Sequence, residues 1–329
     1  MTEAAALRAE LAGRIMGFMI SQALFVSAKL GIPQLLEGGA RSAEELAAAT
    51  DANPDALRRY LRVLAGVGVF REEDGRFVNT EASELLGGAF RDFAEFFGEL
   101  FYPVFGDSLR LVRDGEPAFP RIFGAEWDEY LAAHLDVSAR FNRFMAGGKD
   151  ALAEAVAALA WHEGATLVDV GGGNGALLIG VLQRRADVRG IVLELPHVAR
   201  EARAEIAAAG LSDRCDVIAG DYFEEVPRGA DGYLLSHIIH GCDDNRALPI
   251  LANVRTAAPK HARLLVHDAV VAPPNEPGGK LMDLLMLGLS GGKERTEEEW
   301  PALLAGGGFE LASIRTLPTG SSLIEAVPR

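Results

Sequence analysis

The sequence predicts a doubly wound α/β fold: a seven-stranded Rossmann-like sheet preceded by a mainly helical domain of winged-helix outline. Three observations predict it. Residues 166–176, TLVDVGGGNGA, run from an apolar strand through a glycine turn into a helical pattern. Apolar runs and helical stretches then alternate to the end of the chain, the pattern of a parallel sheet covered on both faces. Ahead of the turn, two short helical stretches lead into a hairpin. The boundaries are drawn at 1–100 for the winged-helix-like domain, 101–160 for a helical linker and substrate-pocket region, and 161–329 for the sheet domain.

Residues 4–30 read as a helix that is apolar on nearly every side from Ile15 to Leu30. Such a helix needs a partner surface, so a homodimer is expected. The stretch Ile15–Leu36 is broken by Ser21, Gln22, Lys29, Gly31 and Pro33, which argues against a membrane span. No basic leader or cleavage site marks a secretory signal. Ser42 and Glu45 form a capping box, Asn53 and Pro54 start the next helix, and Gly66 and Gly68 end it. VFREEDGRFVNT then reads as a hairpin turning at Asp74 and Gly75. Arg58, Arg59 and Arg62 offer a DNA-binding face, opposed by Glu72, Glu73 and Asp74 at the wing tip.

The chain carries 32 basic and 47 acidic residues, a net charge of −15. That balance excludes nucleic acid and anionic membranes as partners and favours a small molecule. Two cysteines without metal spacing, Cys215 and Cys242, fit a reducing, cytoplasmic setting. Residues 90–150 are helical and rich in aromatics, suited to core and to a pocket for a flat apolar substrate. Strands are then expected at 190–195, 215–220, 231–238 and 262–270, with helices at 197–209 and 245–257. FELASIRTL and SSLIEAVP close the sheet as an antiparallel pair.

The glycine turn, with Gly171, Gly173 and Gly175, is a nucleotide cradle. Its spacing also satisfies a dinucleotide fingerprint, with Glu194 as the ribose acid, so a nicotinamide-linked oxidoreductase is the competing reading. Asp169 favours S-adenosylmethionine, whose ammonium and sulfonium give a carboxylate there an electrostatic use. Glu194 is placed to accept both ribose hydroxyls, Asp221 to accept from an adenine amino group or orient its loop, and Phe223 to cover the adenine face. His240 emerges after the fourth strand as a base able to take a phenol proton, with Asp268 and Glu294 to orient it. His237 and His267 read as packing or surface residues. No metal is required, and the pairs Asp243 with Asp244 and His267 with Asp268 lack the convergent set a divalent ion needs.

These motifs resemble the S-adenosylmethionine-dependent small-molecule O-methyltransferases of the caffeic acid type, including bacterial relatives acting on aromatic polyketides. The resemblance covers nearly the whole chain: the winged-helix dimerisation domain, VDVGGGNG, ELP at Glu194, GDYF at Asp221, His240, and GGKERT from Gly291 to Thr296. It implies His240 as general base flanked by Asp268 and Glu294. It implies cofactor contacts from Asp169, Gly171, Gly173, Glu194, Leu195, Gly220, Asp221, Tyr222, Phe223 and Ser236. It further implies a substrate pocket formed by Phe141, Asn142, Met145, Met282, Asp283 and Met286. Two departures stand out. The family commonly has a basic residue where Ser236 or His237 stands, and Asp-Trp where this chain has Gly241 and Cys242. Relatives that keep the cofactor site but catalyse hydroxylation, decarboxylation, cyclisation or C- or N-methylation form the alternative.

Overall fold

The computed structural model describes residues 2–329. The chain divides into two compact units, one ending at Gly106 and the other running Asp107–Arg329.

The first unit opens with the helix Glu3–Lys29, capped by the Thr2 side chain. By length and composition alone this helix is apolar enough to cross a bilayer, which the interrupted stretch 15–36 did not suggest. Ala23, Ser27 and Ala28 are its buried residues, whereas Ile15, Met16, Phe18 and Met19 are exposed on the single chain. The capping box of Ser42 and Glu45 and the Asn53 cap form as read. The strands Phe70–Glu73 and Arg76–Asn79 turn at Asp74 and Gly75, both with positive φ, and Arg41–Ser42 adds a third antiparallel strand. This is a winged helix. Its arginines are already engaged by acids: Arg58 pairs with Glu44, Arg59 with Asp55 and Arg62 with Glu72.

The second unit is built on seven strands: β1 (Thr166–Val170), β2 (Arg189–Glu194), β3 (Cys215–Ala219), β4 (Gly232–Ser236), β5 (Arg263–Asp268), β6 (Phe309–Thr316) and β7 (Ser322–Pro328). Their order across the sheet is β6-β7-β5-β4-β1-β2-β3. All pairs are parallel except those made by β7, which runs antiparallel to β5 and β6. Alternation along the strands sends Val168, Tyr233 and Leu264 into one core with Trp300, and Leu167, Leu234 and Leu265 into another with Leu178. Helices cover both faces, so each strand is apolar almost throughout. Strand order reverses between β1 and β4, the position where an open α/β sheet parts its loops and receives a ligand.

Candidate active site

The turn after β1 is a close-approach backbone. Gly171, Gly173 and Gly175 all have positive φ. A Cβ on Gly171 would stand 2.6 Å from Ile238 Cδ1 and 3.2 Å from Tyr222, and one on Gly172 would stand 2.8 Å from the Asp169 carboxyl. Only glycine lets these side chains reach the turn. Burial pushes the Asp169 carboxyl up to about 7, and its Oδ1 has no hydrogen-bond partner among the described residues. An orphaned, deeply buried acid beside a glycine turn fits a cationic ligand group.

Glu194 ends β2 and holds the cradle as well as facing it. Its Oε2 accepts from the Gly173 amide at 2.9 Å and its Oε1 from the Leu195 amide at 2.8 Å. One cradle amide expected to be free for a ligand is therefore satisfied by the protein, and Glu194 brings to the ribose position the lone pairs those bonds leave. Its carbonyl accepts from the Gly220 amide at 3.0 Å. Asp221 forms an Asx turn onto the Phe223 amide at 2.8 Å, which fixes the loop. The rings of Tyr222 and Phe223 lie 5.0 Å apart, and Asn253 donates to both of their carbonyls at 3.0 and 2.8 Å.

His240 sits in the short turn Ile239–Gly241 after β4, buried, with Nδ1 2.6 Å from Glu294 Oε1. Asp268 plays a different part from the one expected: Oδ2 accepts from the His240 backbone amide at 3.2 Å, while Oδ1 stands 3.8 Å from Nδ1. Burial pulls the His240 imidazole down, but the charges of Asp268 and Glu294 outweigh it and the net shift is upward. Burial pushes Asp268 up to about 7.

The GGKERT run explains why this turn holds its shape. A Cβ on Gly292 would overlap the His240 carbonyl oxygen and come 2.6 Å from the Gly241 carbonyl carbon. Arg295 is fully buried and donates to the carbonyls of Ile239 at 3.3 Å and Cys242 at 3.1 Å and to Asp244 at 2.8 Å. Ser290 donates to the Gly241 carbonyl at 2.9 Å. Asp283, expected against substrate, instead accepts from the Glu294 amide at 3.0 Å and so supports the base's partner.

Of the other residues expected in the pocket, Phe141 packs edge-on against Trp127, and Asn142 turns to donate to Glu201 at 2.8 Å. Met145 is half-buried on the helix Leu135–Ala146; Met282 and Met286 lie on the helix Lys280–Ser290, half-buried and buried. Ser236, expected on the cofactor, instead meets a lysine: Lys149 donates to its Oγ at 2.6 Å. Lys149 thus brings from another segment the cation missing at positions 236 and 237. Burial lowers its pKa.

His267 is a packing residue as expected, held by Ser236 at 3.0 Å and Ser321 at 2.8 Å, with burial pushing its imidazole down to about 3. His237 is not ordinary. It has φ +61, its Nδ1 lacks a partner among the described residues, and its ring lies 5.1 Å from that of His240. Ligand atoms of His237, His240 and Asp268 all lie within 4.8 Å of one another, a convergent set absent from the pairs considered in the sequence.

A glycine cradle at the sheet's switch point, with a carboxylate-held histidine after the neighbouring strand, is the arrangement of a nucleotide-binding α/β enzyme. Residues 105–310 match the O-methyltransferase domain and residues 14–87 the O-methyltransferase dimerisation domain. The chain is 40% identical to a phenazine O-methyltransferase of Lysobacter antibioticus, covering 95% of this chain and 94% of that protein. It is 33% identical to a phenazine-1-carboxylate N-methyltransferase of Pseudomonas aeruginosa, covering 93% of each. Among solved structures, the neocarzinostatin O-methyltransferase NcsB1, in complex with S-adenosylmethionine and 2-hydroxy-5-methyl naphthoic acid, superposes with a TM-score of 0.85 at 32% identity, covering 94% of this chain and 96% of that one.

The chain belongs to the S-adenosylmethionine-dependent O-methyltransferase family. Its cofactor is S-adenosylmethionine, released as S-adenosylhomocysteine, and the nicotinamide reading of the glycine fingerprint is thereby overturned. The dimerisation domain makes it a homodimer.

Proposed function

We propose that this enzyme moves a methyl group from S-adenosylmethionine to a hydroxyl of an aromatic or polyketide-like small molecule, with His240 as general base. The observation that carries the reading is the 2.6 Å bond between His240 Nδ1 and Glu294. It engages one ring nitrogen, fixes the tautomer, and leaves Nε2 as the atom to receive a proton.

S-adenosylmethionine supplies a methyl group already activated on a sulfonium. The residues that would hold it are Asp169 toward its cationic end, Gly171 and Gly173 along the turn, Glu194 at the ribose, and Asp221, Tyr222 and Phe223 about the adenine. Phe141, Met145, Met282 and Met286 would enclose the acceptor. The protein's part is then to align the hydroxyl, keep water out, and take the proton at His240 while Glu294 and Asp268 stabilise the imidazolium. A positioned base contributes roughly two to four powers of ten.

A relative that methylates nitrogen keeps N-methylation as the second reading. The two separate on chemistry, because an aromatic ring nitrogen has no proton to lose and gains little from a base. The test is turnover on paired phenolic and ring-nitrogen acceptors by wild type and His240→Ala. Loss of methylation on the phenols alone supports the proposal, and equal turnover by the variant on phenols removes it. We also place the enzyme in the cytoplasm, on the strength of its two free thiols, Cys215 and Cys242.

A further inference from the structure

We propose that His237, His240 and Asp268 form an inhibitory site for a zinc-class divalent cation, one that disables the base while it is filled. The ligand atoms come from the ends of two neighbouring strands and lie within 4.8 Å of one another. Tetrahedral zinc at its usual bond lengths holds its ligand atoms roughly 3.4 Å apart, so a movement of about an ångström closes the set.

Two of the three ligands also carry an unspent atom. His237 Nδ1 and Asp268 Oδ1 are buried without a hydrogen-bond partner among the described residues, and so is Glu294 Oε2 beside them. Asp268 and Glu294 are almost wholly buried, where an unsatisfied carboxylate oxygen is costly. His237 holds its ring toward the base from a left-handed backbone, a conformation that disfavours any side chain. His267 takes no part, since both its nitrogens are bonded to serines.

Two imidazoles and one carboxylate select zinc, nickel or copper over magnesium or calcium, which prefer all-oxygen sets. The charged and titratable groups around the cluster are Lys149, His267, Glu294 and Arg295. Once bound, the ion engages His240 or frees it from Glu294, and in either case the base is lost.

The experiment titrates the dimer with zinc chloride by calorimetry, follows cobalt(II) by its visible absorption, and measures methyl transfer with and without zinc. The inhibition arm rests on His240 being the base; the binding arms do not. His237→Asn and His237→Gly are the variants, since both residues tolerate positive φ. Wild type is expected to bind one ion per chain and lose activity reversibly to a chelator. The variants are expected to keep basal turnover and to need at least about tenfold more zinc for the same effect, since losing even a group that only orients a ligand costs about ten- to a hundredfold. Absence of binding by wild type, or binding unchanged in both variants, overturns the site. Binding that is lost in the variants but never inhibits supports the site and counts against His240 as base.

Discussion

Two turns leave the sheet side by side and are made rigid in opposite ways. The turn after β1 gets its shape from three positive-φ glycines and from the end of the neighbouring strand, where Glu194 accepts from the Gly173 amide. The turn after β4 gets its shape from a segment more than fifty residues away, through Gly292 against its backbone, Glu294 on its imidazole and Arg295 on its carbonyls. The first is the shorter-range solution and, on the proposed reading, serves binding; the second is the longer-range assembly and, on that reading, serves the chemistry. Damage to the β1 turn should therefore appear in cofactor affinity, and damage to the β4 turn in turnover.

The largest effect expected is that of His240→Ala, which should lower kcat by roughly two to four powers of ten with S-adenosylhomocysteine affinity nearly unchanged. Steady-state kinetics and calorimetry on the same preparation check both halves. Next comes Glu294→Gln, which keeps the shape but removes the charge. The base must be neutral to work, and its proton affinity is raised, so activity is lost as pH falls through a value above the ordinary histidine 6.5. In the variant only Asp268 remains to raise it. The acidic limb of the kcat/KM profile should move to lower pH while the plateau drops about tenfold or more, through loss of ring orientation. An acidic limb that stays in place would separate Glu294 from the base.

The difference between the turns also decides what could be read before the fold was seen. VDVGGGNG, the capping boxes, the Asp74-Gly75 hairpin and the alternation of strands are short-range signals, and the elements they mark stand within a residue or two of expectation. His240, Asp268 and Glu294 come together as the resemblance implied, but their division of labour was not legible. Which carboxylate meets Nδ1 and which meets the backbone depends on tertiary placement. The same holds for Lys149, whose ammonium reaches Ser236 across 87 residues, and for Arg295, buried against the carbonyls of the β4 turn. Asn142 and Asp283, expected at the substrate, each also make a hydrogen bond to a protein group.

On the side of the β1 turn, Gly171→Ala should act on binding. An alanine held at φ +69 costs about 1–2 kcal/mol, and its methyl group meets Ile238. Affinity for S-adenosylhomocysteine should fall roughly tenfold, as expected for about 1.4 kcal/mol. Turnover at saturating cofactor should change much less, and a matching loss of kcat would mean that the two turns move as one.

The smallest effect expected tests how far the local solution extends. Asn253 lies on the helix Asp244–Ala257, outside the glycine turn, and its amide donates to the carbonyls of Tyr222 and Phe223. Those bonds are all it offers to the cofactor side, and each is worth about 1 kcal/mol in the folded chain. Only the part that pre-orders the loop bears on binding, because the rest is lost equally from the free and bound states. Asn253→Ala should therefore lower the melting temperature by a few degrees and weaken S-adenosylhomocysteine binding only a few-fold. The pH profile should stay where it is, since His240 gains nothing from that amide. If the acidic limb moved as well, the Tyr222–Phe223 loop would have to couple to the base through Ile238, whose side chain stands between the two turns at Gly171.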